Sequence, residues 1–238
     1  MSERPVVFSA SSVNAYLDCH LRWYFGYVLN EQGEQSEAQA VGIAVHDYAE
    51  RRLRGESPTI LHPLDSLIAV HAAAAVFDAD IPPTYRDPVL IEAAFQIAVN
   101  DIPFSGILDA VDRQDIGPNT YANILRDLKT TSSRPKAGRY HFNMVGYWLG
   151  ARELGHEAAI MQLDYIVRTQ KPYYWPEVVA APDEDDIEWF AATLQAVADG
   201  VGRADYKPTG VGTRVCSYCS YKAICGPYQR YKEVTDGR

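Results

Sequence analysis

The sequence predicts a single α/β or α+β domain with a cysteine segment appended at its end. Three observations carry this. Apolar residues recur at helical spacing over roughly the first third of the chain, then fall into three short β-capable runs between residues 89 and 131. A helix, a strand and a further helix follow. Three of the four cysteines crowd into CSYCSYKAIC (Cys216–Cys225), after the last periodic segment.

In FSASSVNAYLDCHLRWYFGYVLN the serines suit a helix N-cap, and Val13, Tyr16, Leu17, Tyr24, Tyr27 and Val28 recur at helical spacing, so one helix is expected over 9–30. EQGEQSEAQ (31–39) reads as a polar loop. VGIAVHDYAERRLRG is a second helix stopped near Gly55, and Asp65–Phe77 a third, ended by the IPP at Ile81–Pro83. VLIEAAFQIAV, FSGILDAVDRQ and YANILRDLKTT are strands, the last two joined by the turn-rich DIGPN. RYHFNMVGYWLGARELG returns to helical spacing, and AIMQLDYIVR is a further strand. PDEDDIEWFAATLQAVADG is a helix with acids in its first turn and a buried stripe of Ile187, Phe190, Leu194 and Val197.

At 238 residues, 47% hydrophobic and 22% charged, the chain is long enough for a substantial core. MSERPVVFSASS lacks the charged-then-apolar build of a secretory signal, and no apolar run is long enough to cross a bilayer. The expected setting is the cytoplasm, where thiols stay reduced and clustered cysteines bind metal more often than they form disulfides. A net charge of −9 weighs against nucleic acid as a partner of the whole surface. RDLKTTSSRPKAGR (Arg126–Arg139) nevertheless sets five basic residues against the single Asp127, so one face suits a polyanion. No G-x-x-x-x-G-K-[ST] loop occurs, so the chain carries no ATPase motor of its own.

GILD ends in Asp109, and DLK spans Asp127–Lys129. On adjacent strands of a hairpin the two aspartates face each other, and period two puts Lys129 on the same face as Asp127, with Leu128 turned to the core. Two carboxylates beside a lysine suit a divalent cation and phosphodiester hydrolysis, and oxygen ligands favour Mg2+ or Mn2+. An ion pair at a solvated strand end explains the same residues. Glu92, in VLIEAAF, is a further candidate acid, and an exposed strand residue explains it equally well. Asp112 reads as a surface acid pairing with Arg113, Asp101 as a turn residue, and His62, His71, His141 and His156 lack ligand-like spacing.

Cys19 with Cys216, Cys219 and Cys225 makes four thiolates, which both zinc and a [4Fe–4S] cluster accept. Zinc sites usually come as two close pairs. His20 competes as a ligand in principle. Either site would act as a staple between the first helix and the tail. Tyr218, Tyr221, Tyr228 and Tyr231, with Lys222, Arg230 and Lys232, either stack bases and track phosphates or simply cover the cluster.

SASSVNAYLDCHLRWYFGYVL, GIAVHDYAE, GILDAVD, LRDLKTT, NMVGYWL and C-x2-C-x5-C, in this order, resemble the RecB-like branch of the PD-(D/E)xK nucleases, and most of all its iron–sulfur members, including CRISPR-associated RecB-like exonucleases. The resemblance runs from Ser9 to Cys225. It implies a restriction-endonuclease-like core, a mixed β-sheet flanked by helices, with an N-terminal helical region and a C-terminal cluster segment. One nuclease domain would fill 1–238: helix 9–30 with the first cluster cysteine, core 40–204 with a helical insertion 56–83, and iron–sulfur segment 205–238. It implies a metal (Mn2+ or Mg2+) on His46, Asp109, Asp127 and the carbonyl of Leu128, with Lys129 positioning water or stabilising the transition state. It also implies a [4Fe–4S] cluster on Cys19, Cys216, Cys219 and Cys225, although His20 stands where relatives usually have Pro.

Tyr147 matches the family's Q-x-x-x-Y motif, while Asn143 replaces its Gln. Asp127 replaces the Glu of many members, an accepted variant. Arg134, Lys136 and Arg139, with Asn143, are the candidate DNA contacts. The activity implied is hydrolysis of DNA at single-stranded ends, in repair, recombination or CRISPR systems, with a separate helicase or recombination protein as partner and no membrane. The rival expectation is a DNA-end or partner-binding subunit with little catalysis, stapled by iron–sulfur or zinc.

Overall fold

The computed structural model describes residues 6–59, 64–81, 88–136, 138 and 140–236. In chain order its elements begin with α1 (Ala10–Asp18), α2 (His20–Trp23), a π-helical turn (Tyr24–Val28), α3 (Glu37–Leu53) and α4 (Leu64–Asp80). There follow β1 (Pro88–Val99), β2 (Ile102–Gly117), β3 (Thr120–Thr131), α5 (His141–Glu153), β4 (Ile160–Val167) and β5 (Tyr173–Ala180). The chain ends with α6 (Glu184–Gly202), α7 (Arg214–Ser217) and α8 (Gly226–Asp236). Two compact units emerge, one from Met1–Ser36, Ala98–Phe104 and Ala191–Arg238, the other from Glu37–Ile97 and Ser105–Phe190. His62, Pro82 and Pro83 lie outside the described residues.

In the first unit, Ser9 and Ser12 cap α1 reciprocally: Ser12 N–H donates to Ser9 Oγ at 3.2 Å, and Ser9 N–H donates to Ser12 Oγ at 2.8 Å. The single helix expected over 9–30 is broken. Cys19 is extended (φ −166°, ψ 119°), ending α1 and starting α2, and its turned side chain accepts a hydrogen bond from Thr209 N–H at 3.5 Å. The tail, read from the sequence only as an appended cysteine segment, contains α7 and α8. Phe8 pairs with Phe104 in a parallel bridge.

The second unit is built on a five-stranded sheet of order β1-β2-β3-β4-β5. β2 and β3 are antiparallel, β3 and β4 are parallel across α5, and β4 and β5 are antiparallel, so the sheet is mixed. α3 buries Val41, Val45 and Ala49, one residue per turn, in a cluster with Val70, Ala73 and Phe77 of α4, Leu128 of β3 and Ile166 of β4. Each large side chain so buried contributes about 1.5–3 kcal/mol. Gly55 (φ +82°) follows this helix and suits its end. α4 begins one residue before the expected Asp65 and ends three after Phe77.

β5 was not expected. Pro176 interrupts its signal, yet a proline is tolerated on an edge strand, which is where β5 lies. Asp112 also departs from expectation: it is fully buried, not a surface acid. It accepts from Gln114 Nε2 at 2.7 Å and lies 3.6 Å from Arg126 Nη2, while Arg113 sits over the Tyr121 ring instead. Arg126, likewise buried, also reaches Asp164 at 3.4 Å. Asp112, Arg126 and Ala110 share one face of the hairpin, and both faces are covered there, since Val111 and Leu125 on the opposite face are fully buried too. Arg126 therefore drops out of the exposed basic stretch.

Candidate metal centre

α3 places His46 beside its buried stripe, and Asp109 meets it from β2. His46 Nδ1 lies 3.5 Å from Asp109 Oδ2. The β2–β3 ladder runs from Gly117↔Thr120 to Ala110↔Arg126. Beyond it the Asp109 carboxylate replaces a backbone partner, with Leu128 N–H donating to Oδ2 at 2.7 Å. The third member is Glu92 of β1, held at φ +47°, a conformation few L residues adopt. Donor atoms of His46, Glu92 and Asp109 lie within 4.8 Å of one another, a geometry that can hold a metal ion. The three line a cavity of about 260 Å³, part of it open to solvent, with Ala49, Glu50, Leu53, Phe77 and Leu128. Burial, then the charges of Asp109 and Glu50, push the Glu92 carboxyl up to about 7. The site thus concentrates negative charge that a cation would relieve.

Asp127 stands outside that group of three. Its buried carboxylate is turned onto Lys129, whose Nζ donates to Oδ1 at 2.8 Å and lies 2.7 Å from Oδ2. Oδ2 has no hydrogen bond of its own. Burial raises the Asp127 carboxyl above its ordinary range, and the Lys129 charge only partly offsets this. For Lys129 burial opposes the charge, but Asp127 and then Asp109 outweigh it and keep the ammonium protonated. Tyr147 of α5 senses the same charges: burial, then Asp127, push its phenol up to about 12. Asn143 hydrogen-bonds to Tyr147 and is itself buried.

The glycine of GILD has a packing reason. A Cβ on Gly106 would stand 2.7 Å from the Phe95 ring and 3.2 Å from that of Tyr147. In the sequence Glu92 is a lone acid in the apolar run VLIEAAF, and its approach to Asp109 depends on a backbone angle that spacing does not encode.

Arg134 and Lys136 are exposed on the loop after β3, and Arg139 lies outside the described residues. Arg134 covers the Trp175 ring at 4.0 Å. His141 bonds to Asp186 at 2.7 Å, and Asp101 occupies a turn at φ +64°.

In the first unit all four cysteines line one cavity of about 420 Å³, part of it open to solvent, together with Arg22, Phe25, Tyr221 and Tyr228. The sulfurs are free thiols. Burial raises those of Cys219 and Cys225, with neighbouring thiols adding to the shift. His20 is engaged elsewhere, stacking on Tyr16 at 4.0 Å with Nδ1 3.6 Å from Asp205. The tyrosines divide. Tyr221 packs onto Gly26 and Gly33 and walls the cavity with Tyr228, whereas Tyr218 and Tyr231 are exposed.

Comparison with known proteins gives three findings. The sequence profile of the PD-(D/E)XK nuclease superfamily matches residues 7–85 and 76–226. No curated protein matches the chain. Among solved structures, one from Eubacterium rectale bearing the name "Putative exonuclease" superposes with a TM-score of 0.63 at 11% identity, covering 94% of this chain and 87% of that one. SSO0001 follows with a TM-score of 0.49, 14% identity and coverage of 95% and 88%. The first of these likenesses is one of fold: a mixed sheet flanked by helices, of the restriction-endonuclease-like type.

Proposed function

This chain belongs to the PD-(D/E)XK nuclease superfamily, and from that premise we propose that it is a divalent-metal-dependent deoxyribonuclease, an exonuclease acting on single-stranded DNA ends. The observation that carries the proposal is the convergence of His46, Glu92 and Asp109 within 4.8 Å, joined through Leu128 and Asp109 to the Asp127–Lys129 pair. His46, Asp109 and Asp127, with the Leu128 carbonyl and now Glu92, are the residues assigned to Mn2+ or Mg2+. The donor set fits: oxygens suit either ion, and the imidazole favours Mn2+. A divalent ion supplies neutralisation of developing phosphoryl charge and a more acidic water.

The chain's own groups do the rest. Lys129, held protonated by Asp127 and Asp109, is a positive donor that orients the attacking water or stabilises charge on the phosphoryl oxygens. Tyr147 keeps its proton at neutral pH and acts as a donor rather than a base. Asn143 positions Tyr147, which supports a role behind the site rather than on DNA.

The cysteine cavity supports assignment to the iron–sulfur, RecB-like branch, with Cys19, Cys216, Cys219 and Cys225 holding a [4Fe–4S] cluster as a structural clasp. Four thiolates suit either zinc or a cluster; zinc ligands usually come as two close pairs, and the lone distant Cys19 with C-x2-C-x5-C favours the cluster. Reduced thiols fit a cytoplasmic setting, and no described helix is long and apolar enough to cross a membrane. DNA with free ends is the proposed substrate, and a separate helicase or recombination protein the proposed partner.

The test is degradation of labelled single-stranded DNA with Mn2+ or Mg2+. Activity should vanish without metal and in Asp109→Ala and Lys129→Ala. If DNA is bound but neither substitution changes its fate, the chain is an end-binding subunit and the catalytic reading fails.

A further inference from the structure

Lys129 pairs with Tyr165 across the parallel β3–β4 ladder, and Tyr165 pairs with Trp175 across β4–β5. The three therefore lie in one row of the sheet, with side chains on the same face. Strands are spaced about 4.8 Å apart, so Trp175 stands about 10 Å along this row from Lys129. Tyr165 is fully buried and stacks on Trp175, with centroids 5.4 Å apart and planes at 19°. The Arg134 guanidinium lies 4.0 Å over the Trp175 ring. At the other end of the row, Lys129 Nζ lies 5.6 Å over Tyr140, whose ring is 6.3 Å from that of Tyr165. Two cations thus flank a run of three rings.

The loop that carries Arg134 is tied at both ends. Thr131 Oγ1 donates to Ser133 O at 2.7 Å, and Gly138 N–H donates to Glu177 Oε1 at 3.2 Å. A guanidinium lying on an indole is attracted by the ring face while its in-plane N–H groups stay available. Those N–H groups match the oxygens of a phosphodiester, and Arg is the residue that grips them in a fork.

We propose that Arg134, mounted on Trp175, is a phosphate grip that holds the backbone of the substrate strand beside the phosphate presented to Lys129. The inference rests on the nuclease reading and deepens it. It names a positioning pair, Arg134 with Trp175, and it places the strand's path across β4 and β5. Trp175 acts through Arg134: its ring, braced by buried Tyr165, fixes the plane of the fork.

The experiment has two arms. Binding of a labelled single-stranded oligodeoxynucleotide in EDTA is measured against salt, and KM and kcat are measured with Mn2+. Arg134→Ala should weaken binding about tenfold and flatten the slope of log K against log salt by about 0.7, the value for one phosphate contact on a single strand. KM should rise in step while kcat stays within about twofold. Arg134→Lys and Trp175→Leu should show most of this loss, and the double variant Arg134→Ala/Trp175→Leu no more than Arg134→Ala alone. Arg113→Ala removes an equal charge from another ring-stacked arginine, over Tyr121, and should behave as wild type.

Unchanged affinity and slope in Arg134→Ala, full activity in Arg134→Lys, or an equal loss in Arg113→Ala would each overturn the grip. Arg134-dependent binding without any cleavage leaves the grip standing and removes the nuclease reading. Cleavage with an Arg134-independent slope removes the grip alone, and a wild-type protein that binds no oligonucleotide removes the grip as well.

Discussion

Replacing Lys129 with Met strips the positive partner from a carboxylate that is 1% exposed. Asp127 Oδ1 loses its hydrogen bond at 2.8 Å and Oδ2 a charge 2.7 Å away. Removing one partner of a buried pair costs about 3–5 kcal/mol. The lower end applies here, because the Lys129 side chain keeps 21% exposure and the site is not sealed. For a chain of this length each kcal/mol moves Tm by about 2–4 °C, so a loss of about 3 kcal/mol lowers Tm by about 6–12 °C. The deficit must depend on pH. Burial already holds the Asp127 carboxyl above its ordinary range, and losing the ammonium raises it further. A carboxyl raised in the folded state stabilises the fold as pH falls through its folded value towards its unfolded value of about 3.9. Lys129→Met is therefore least stable relative to wild type at pH 8 and approaches it at pH 5. Thermal and urea unfolding in EDTA at both pH values measure this, with Asp127→Asn/Lys129→Met recovering most of the stability at pH 8. An equal deficit at both pH values, or none at pH 8, refutes the buried-pair argument.

Glu92→Gln removes a carboxyl pushed up to about 7. In metal-free protein it should raise Tm at pH 8, where the native group is charged at a cost, and leave it unchanged near pH 5; calorimetry should show Mn2+ affinity falling at least about tenfold. Gly106→Ala drives a Cβ to 2.7 Å from Phe95 and 3.2 Å from Tyr147. It should cost about 1–3 kcal/mol and reduce activity through Tyr147, with Phe95→Leu in the same chain restoring part of the stability. If the four cysteines hold the proposed cluster, Cys19→Ala should lose iron and visible absorbance together with thermal stability, and Cys216→Ala should do the same. Full iron content in Cys19→Ala would place the fourth ligand elsewhere.

Much of the fold was legible because its elements advertise themselves by period. Val41, Val45 and Ala49 repeat every turn of α3, and YANILRDLKTT lies in β3 within a residue of where alternation placed it. β5 escaped because Pro176 is a strand breaker everywhere but at an edge, and edge position is a property of the sheet. The break at Cys19 escaped because the apolar pattern continues across it. Asp112 misled because a charged residue reads as exposed unless its partner is known, and Arg126 lies 14 residues away across the hairpin.

By itself the sequence determined which donors exist and how they are spaced along the chain: a lysine two residues from Asp127, a histidine on a helix, three cysteines in a ten-residue run and one near the start. These follow from local periodicity, which depends only on near neighbours. Tertiary structure alone decided which donors meet. It brought Glu92 to Asp109, turned Asp127 onto Lys129, gathered Cys19 with the tail cysteines, and set Trp175 in the row of Lys129. Such meetings depend on strand register and on where ladders end, as at Ala110↔Arg126. Register is set by the packing of the whole sheet, and no short stretch of sequence contains it.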